Sequence, residues 1–184
     1  MEDNLSMQTQ TTLKGEPKKL DVTVHIKDDP TKLPPEPPYD FSLEYDDGKG
    51  GKKKGNDIFF HNEIDGKKYD GFDVTFEIDD HTGKGFKFMD DATTASGDPD
   101  PDCAPMWVKT VNNFGESCPS RQFWDQFKTV KVSGSNSKLH VRNENDYKQE
   151  FKFALLFSRN PQQGPCEIMY DPDGTNGNGQ KPLK

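Results

Sequence analysis

Two stretches of the 184-residue chain alternate apolar and polar residues with a period of two. Phe72, Val74, Phe76 and Ile78 alternate with Asp73, Thr75, Glu77 and Asp79, and Phe151, Phe153, Leu155 and Phe157 keep the same spacing. Successive strand side chains point to opposite faces, so each stretch has one apolar face and one wetter face. That pattern specifies half-buried strands of an antiparallel kind and argues against amphipathic helices.

The same reading extends along the chain. Leu20 to Lys27 carries Val22, Val24 and Ile26 on one face, and Phe41, Leu43 and Tyr45 alternate after a Pro-rich connector at Asp28 to Pro38. Asp57 to Asn62 reads as a short buried strand. His81 to Gly85 reads as the turn of a hairpin that returns through Phe86 and Phe88. Met106 to Val111 is a further strand. A hairpin is expected around Gly134-Ser135-Asn136, then a long strand from Tyr147 to Ser158 and an edge strand at Glu167 to Tyr170. Asp46 to Gly55, rich in Gly and Lys, reads as a solvated loop tip, and Ser120 to Phe127 as a single helical turn capped by Ser120. About eight or nine short strands without a helix of normal length point to an all-β fold, an antiparallel β-sandwich of Ig-like or jelly-roll-like Greek-key type.

Composition sets limits on that fold. Leu, Ile, Val and Phe make up only about a fifth of the chain, near the level where disorder begins. The net charge of −8 is modest because 24 basic residues offset 32 acidic ones, so a folded core wrapped in polar loops is expected. With 13 Phe, a few large rings can fill that core. The expected organisation is a flexible arm over 1–18, one β-sandwich domain over 19–170 and a flexible Gly/Asn-rich tail over 171–184.

Charge and hydropathy also narrow the function. An acidic chain lacks the basic face that nucleic acid requires. No apolar run is long enough to cross a bilayer. Met1-Glu2-Asp3-Asn4 has neither a basic n-region nor an apolar h-region, so the expected location is cytoplasmic, with Cys103, Cys118 and Cys166 as reduced thiols.

Candidate sites follow from residue type and spacing. Asp171, Asp173 and Asn176 lie in a glycine-containing acidic segment, and Asp98, Asp100 and Asp102 form a second acidic cluster. Calcium is the cation such oxygens would take, although neither segment has the EF-hand register, and turn formation alone accounts for Asp, Asn and Gly there. His25, His61, His81 and His140 show no paired spacing of the zinc or blue-copper kind. His25 and His140 alternate with apolar neighbours and are expected on solvent faces. No nucleophile elbow or phosphate-cradling loop is present in the sequence. Trp124, Phe123, Trp107 and Phe114 lie in or beside the long segments Asp90 to Pro105 and Asn112 to Gln126, where aromatics can anchor a protein partner or stack on a sugar.

The resulting expectation is a non-catalytic interaction module that binds a protein partner through long loops or an edge strand, Glu167 to Tyr170 or Leu20 to Lys27. The alternative is a calcium-dependent or aromatic-platform carbohydrate-binding domain. A third reading, a hydrolase whose residues meet only in space, requires a polar cleft with a Ser or Cys beside a His.

Overall fold

The computed structural model describes residues 16–33, 37–61, 63–64, 66–69, 71–89, 104–110, 126–146, 149–158, 168–170 and 172–176. These residues contain strands and no helix. In chain order the strands are β1 (Lys18–Asp28), β2 (Tyr39–Asp46), β3 (Lys52–Gly55), β4 (Asp57–Phe60), β5 (Glu63–Ile64), β6 (Lys67–Lys68) and β7 (Phe72–Asp80). Then come β8 (Lys87–Phe88), β9 (Met106–Thr110), β10 (Phe127–Ser133), β11 (Lys138–Asn143), β12 (Gln149–Ser158), β13 (Ile168–Tyr170) and β14 (Asp173–Asn176).

Two sheets pack face to face as a β-sandwich. Sheet A runs β10-β11-β7-β1-β2-β3. Sheet B is organised on β12. Leu155 of β12 pairs with Tyr170 and with Met106, so β13 and β9 lie on opposite sides of it. β14 shares the β13 side, because Phe151 pairs with both Gly174 and Thr110. β4 lies beyond β14, and β5 and β6 form a separate two-stranded hairpin.

The sheets are mixed rather than wholly antiparallel. β1 and β7 pair in parallel, as do β4 and β14. A parallel pair needs a long connection between its strands. The chain supplies it by crossing through β2 to β6 before returning as β7.

The alternation read from the sequence is the burial pattern of β1, β2 and β7, whereas β12 departs from it and is buried on both faces from Phe153 to Ser158. β1 buries Leu20, Val22, Val24 and Ile26, and β7 buries Phe72, Val74 and Phe76. On β12, Phe151, Phe153, Leu155 and Phe157 face the same core. Aromatic rings bridge the sheets: Phe76 meets Phe153 at 5.9 Å between centroids, Phe60 meets Phe72 at 5.0 Å, and Phe41 stacks on Phe157 at 5.6 Å. Each buried ring contributes roughly 1.5–3 kcal/mol, so a chain poor in aliphatic residues still fills a core.

Five local expectations are corrected. Phe86 and Phe88 do not return beside β7; Phe88 pairs with Phe157 in sheet B, so the His81 to Gly85 turn carries the chain between sheets. Lys52–Gly55 is not loop tip but an edge strand paired with β2. β1 is not an edge, being flanked by β2 and β7. Phe127 opens a strand, so the expected helical turn does not reach it, while residues 120–125 lie outside the described residues. Finally, Asp173–Asn176 forms β14 inside sheet B, beyond residue 170 where the sequence reading starts a tail. The turn at Gly134-Ser135-Asn136 is as expected, with φ of 60°, 56° and 66° joining β10 to β11.

Candidate functional site

The outward face of sheet A is polar throughout its described strands, and its histidines organise it. The parallel register places His25 of β1 beside Asp79 of β7. Asp79 and His81 are two residues apart, and the His81 amide donates to the Ile26 carbonyl at 2.9 Å, which holds the turn against β1. The turn itself is braced by Asp80. Its Oδ1 accepts from the Thr82 amide and hydroxyl, and its Oδ2 accepts from the Gly85 and Phe86 amides.

Three side chains therefore converge. His25 Nδ1 lies 2.8 Å from Asp79 Oδ2, and His81 Nε2 lies 2.7 Å from the same oxygen. The two rings stack at 5.9 Å and 29°. The second nitrogen of His25 faces Glu44 Oε2 of β2 at 3.2 Å, and Lys52 Nζ donates to the other Glu44 oxygen at 2.8 Å. Partial burial pushes the Asp79 carboxyl up, but the hydrogen bonds from His25 and His81 outweigh it and hold the group below its ordinary value. Glu44 is held low first by Lys52 and then by His25. Two imidazoles and a carboxylate with their donor atoms within 4.8 Å of one another are the ligand types of a borderline divalent cation.

A second polar group lies across the same sheet. His140 Nε2 is 2.7 Å from Ser133 Oγ, and its Nδ1 is 3.2 Å from Thr75 Oγ1. An open groove of about 270 Å³ is lined here by Asp73, Thr75, His140 and Arg142. This is the Ser beside a His that the hydrolase reading required. The group behind the imidazole is a neutral hydroxyl, however. It cannot stabilise an imidazolium as the carboxylate of a triad does. The nearby Asp73 carboxylate is instead paired with Arg142 at 3.2 Å.

Sheet B presents a different outward face. Trp107 of β9 pairs with Ala154 of β12 and packs on a small apolar cluster of Met89, Ala154 and Leu156, separate from the main core. Phe59 of β4 and Met169 of β13 are exposed by 40% and 43%. The Phe59 ring lies 4.5 Å from that of His61, whose Nε2 is 3.5 Å from Asp47 Oδ2.

Of the aromatic residues singled out in the sequence, Trp107 is thus placed on the outward face of sheet B. Trp124, Phe123 and Phe114 lie outside the described residues, as do Asp98, Asp100, Asp102, Asp171 and the three cysteines. Asp173 and Asn176 are strand residues rather than loop residues.

Sequence spacing gave no sign of the His25–Asp79–His81 group. Its one local trace is Asp79 and His81 two apart at a strand end; the third member arrives through the parallel pairing of β1 with β7. No protein-family model matches this chain, and no curated protein matches it.

Proposed function

We propose that this chain is a non-catalytic β-sandwich module whose protein partner contacts the outward face of sheet B. One observation carries the reading. Among the described residues the exposed large apolar side chains are Leu33, Phe59 and Met169, and two of these three lie on that face. Aromatic and thioether side chains anchor protein interfaces, because they bury much apolar area with adaptable shape. Phe59 sits level with Glu150 of β12 through Thr175, and Met169 with Leu156. Six strand residues separate those levels, about 20 Å, which fits within one standard interface.

A photo-crosslinking residue placed at 59 or at 169 tests this, with positions 23 and 77 on the outward face of sheet A as controls. The reading expects one reproducible protein adduct from the sheet B positions and none from the controls. Equal adducts from both faces, or none from either, would overturn it.

The carbohydrate reading keeps a specific support in the exposed Phe59 ring, since such a ring can stack on a sugar. It expects glycan binding that Phe59→Ala abolishes. Calcium is not required for that mode.

A further inference from the structure

The convergence of His25, Asp79 and His81 is more than the strand pairing of sheet A needs. We propose that these three side chains form a binding site for one divalent transition cation of the zinc class, with Glu44 positioning His25 from behind.

The donor set fits that class. Zinc takes imidazole nitrogen and carboxylate oxygen, usually four groups in a tetrahedron, whereas calcium prefers oxygen alone. Two histidines and one carboxylate leave a fourth position for water. Here that position opens to solvent, since the side chains of Asp79 and His81 are 43% and 48% exposed. His25, at 13%, anchors the inner side.

The two distances about Asp79 fit as well, and all three ligand atoms lie within 4.8 Å of one another. Metal–ligand bonds near 2.0–2.2 Å at tetrahedral angles place ligand atoms about 3.3 Å apart. The present separations of 2.8 Å and 2.7 Å about Asp79 Oδ2 belong to hydrogen bonds, with a proton lying between each nitrogen and the oxygen. Replacing those protons by a cation requires an opening of about half an ångström per contact, which exposed side chains supply by small χ rotations.

The surroundings match a built site. A histidine that ligates a metal commonly gives its other N–H to a carboxylate, which fixes the tautomer and strengthens the ligand. Glu44 occupies that place on His25 and is itself held by Lys52. His81 rides on a turn clamped by four hydrogen bonds to Asp80 and by its own amide bond to Ile26. Ligands on rigid elements lose little freedom on binding.

The experiment uses the whole chain, stripped with EDTA and titrated with zinc by calorimetry, and then with cobalt to read the visible bands of a tetrahedral centre. Wild type is expected to bind one zinc saturably and to gain thermal stability with it. Asp79→Asn and His81→Ala are each expected to weaken binding at least tenfold and to remove the tetrahedral cobalt spectrum. Glu44→Gln is expected to weaken it about 10- to 100-fold while leaving all three ligands in place. His140→Ala, on the same sheet face outside the group, leaves binding unchanged. Should His81→Ala fail to fold, Glu44→Gln and Asp79→Asn still read the site. The proposal is overturned by the lack of saturable binding up to about 100 μM zinc. It is equally overturned by a less than tenfold loss in Asp79→Asn, or by a loss in His140→Ala as large as that in Asp79→Asn. A purely structural hydrogen-bond network predicts destabilised variants with no dependence on the ion.

Discussion

The two outward faces of this sandwich are built from the same alternating strands and end with opposite chemistry. On sheet A the side chains opposite the core are His25, Glu44, Asp73, Thr75, Asp79, His140 and Arg142, joined by cross-strand hydrogen bonds and ion pairs. Its outer edge, β3, carries exposed Lys52, Lys53 and Lys54, and lysines along an edge discourage pairing with another chain. On sheet B the corresponding positions hold Ala154, Leu156, Trp107, Phe59 and Met169. One face is finished for water and ions; the other is apolar, buried at Ala154 and Leu156 and exposed at Phe59 and Met169. The lesson is that β12 is apolar on both sides from Phe153 to Phe157, where Ala154 and Leu156 are themselves fully buried. A strand that breaks alternation into a continuous apolar run is a strand covered on both faces.

That contrast can be tested by substitution, and the largest effect is expected at Leu156. Leu156→Ala should cost about 2–5 kcal/mol by urea denaturation, because it removes buried methyl groups from the second apolar cluster. Thr23→Ala, outward on sheet A, should change stability by less than about 0.5 kcal/mol. Equal costs would erase the difference between the faces.

Glycines sharpen the comparison next. A Cβ on Gly174 of β14 would collide with the ring of Phe151, which is fully buried and has no room to yield. Gly174→Ala is expected to lose roughly 1–3 kcal/mol through overpacking. On β3, a Cβ at Gly55 meets nothing within 4 Å, so Gly55→Ala should be near neutral, read in the same denaturation series.

A smaller effect links the sheets through pH. Asp47, at the end of β2, is buried, and burial raises its carboxyl. The Lys49 amide, Lys53 and His61 more than compensate, so the group sits below its ordinary value. His61, at the end of β4, is itself pushed down, first by burial and then by Lys49. A carboxyl with a depressed folded value adds stability that is complete above the unfolded value of about 3.9 and is lost as pH falls through the folded value. Asp47→Asn should therefore melt below wild type at pH 6, and the gap should narrow steadily as the pH is taken below about 4. A gap that stays constant with pH would remove the ionised carboxylate from the account.

The smallest effect is expected at the exposed ring. Phe59→Ser should leave thermal stability within about 0.5 kcal/mol while weakening whatever binds the face.

Much of this architecture was readable from residues alone. Alternation at Val22, Val24 and Ile26, at Phe72, Val74 and Phe76, and at Phe151 and Phe153 reports which side of each strand meets the core, since the strand period is a local property. Gly134-Ser135-Asn136 announced its turn for the same reason. Partner choice between strands is not local. Nothing in Phe86 and Phe88 distinguishes a return beside β7 from a crossing to β12. Nothing in Gly174 separates a linker glycine from one that makes room for Phe151. The candidate site was the least legible part. His25 and Asp79 are far apart along the chain and adjacent only because β1 and β7 run parallel in one register.

By itself, the sequence determined that this chain folds as β-strands with at least one apolar face each, and which residues form the faces that meet the main core. Those facts follow from backbone stereochemistry and the transfer of apolar surface from water, both of which act on short segments. The tertiary structure decided which strands are neighbours, which edge is guarded by lysine, and which histidines share a carboxylate. Such pairings depend on hydrogen-bond registers between distant segments, and those exist only once the two sheets have closed on their common core.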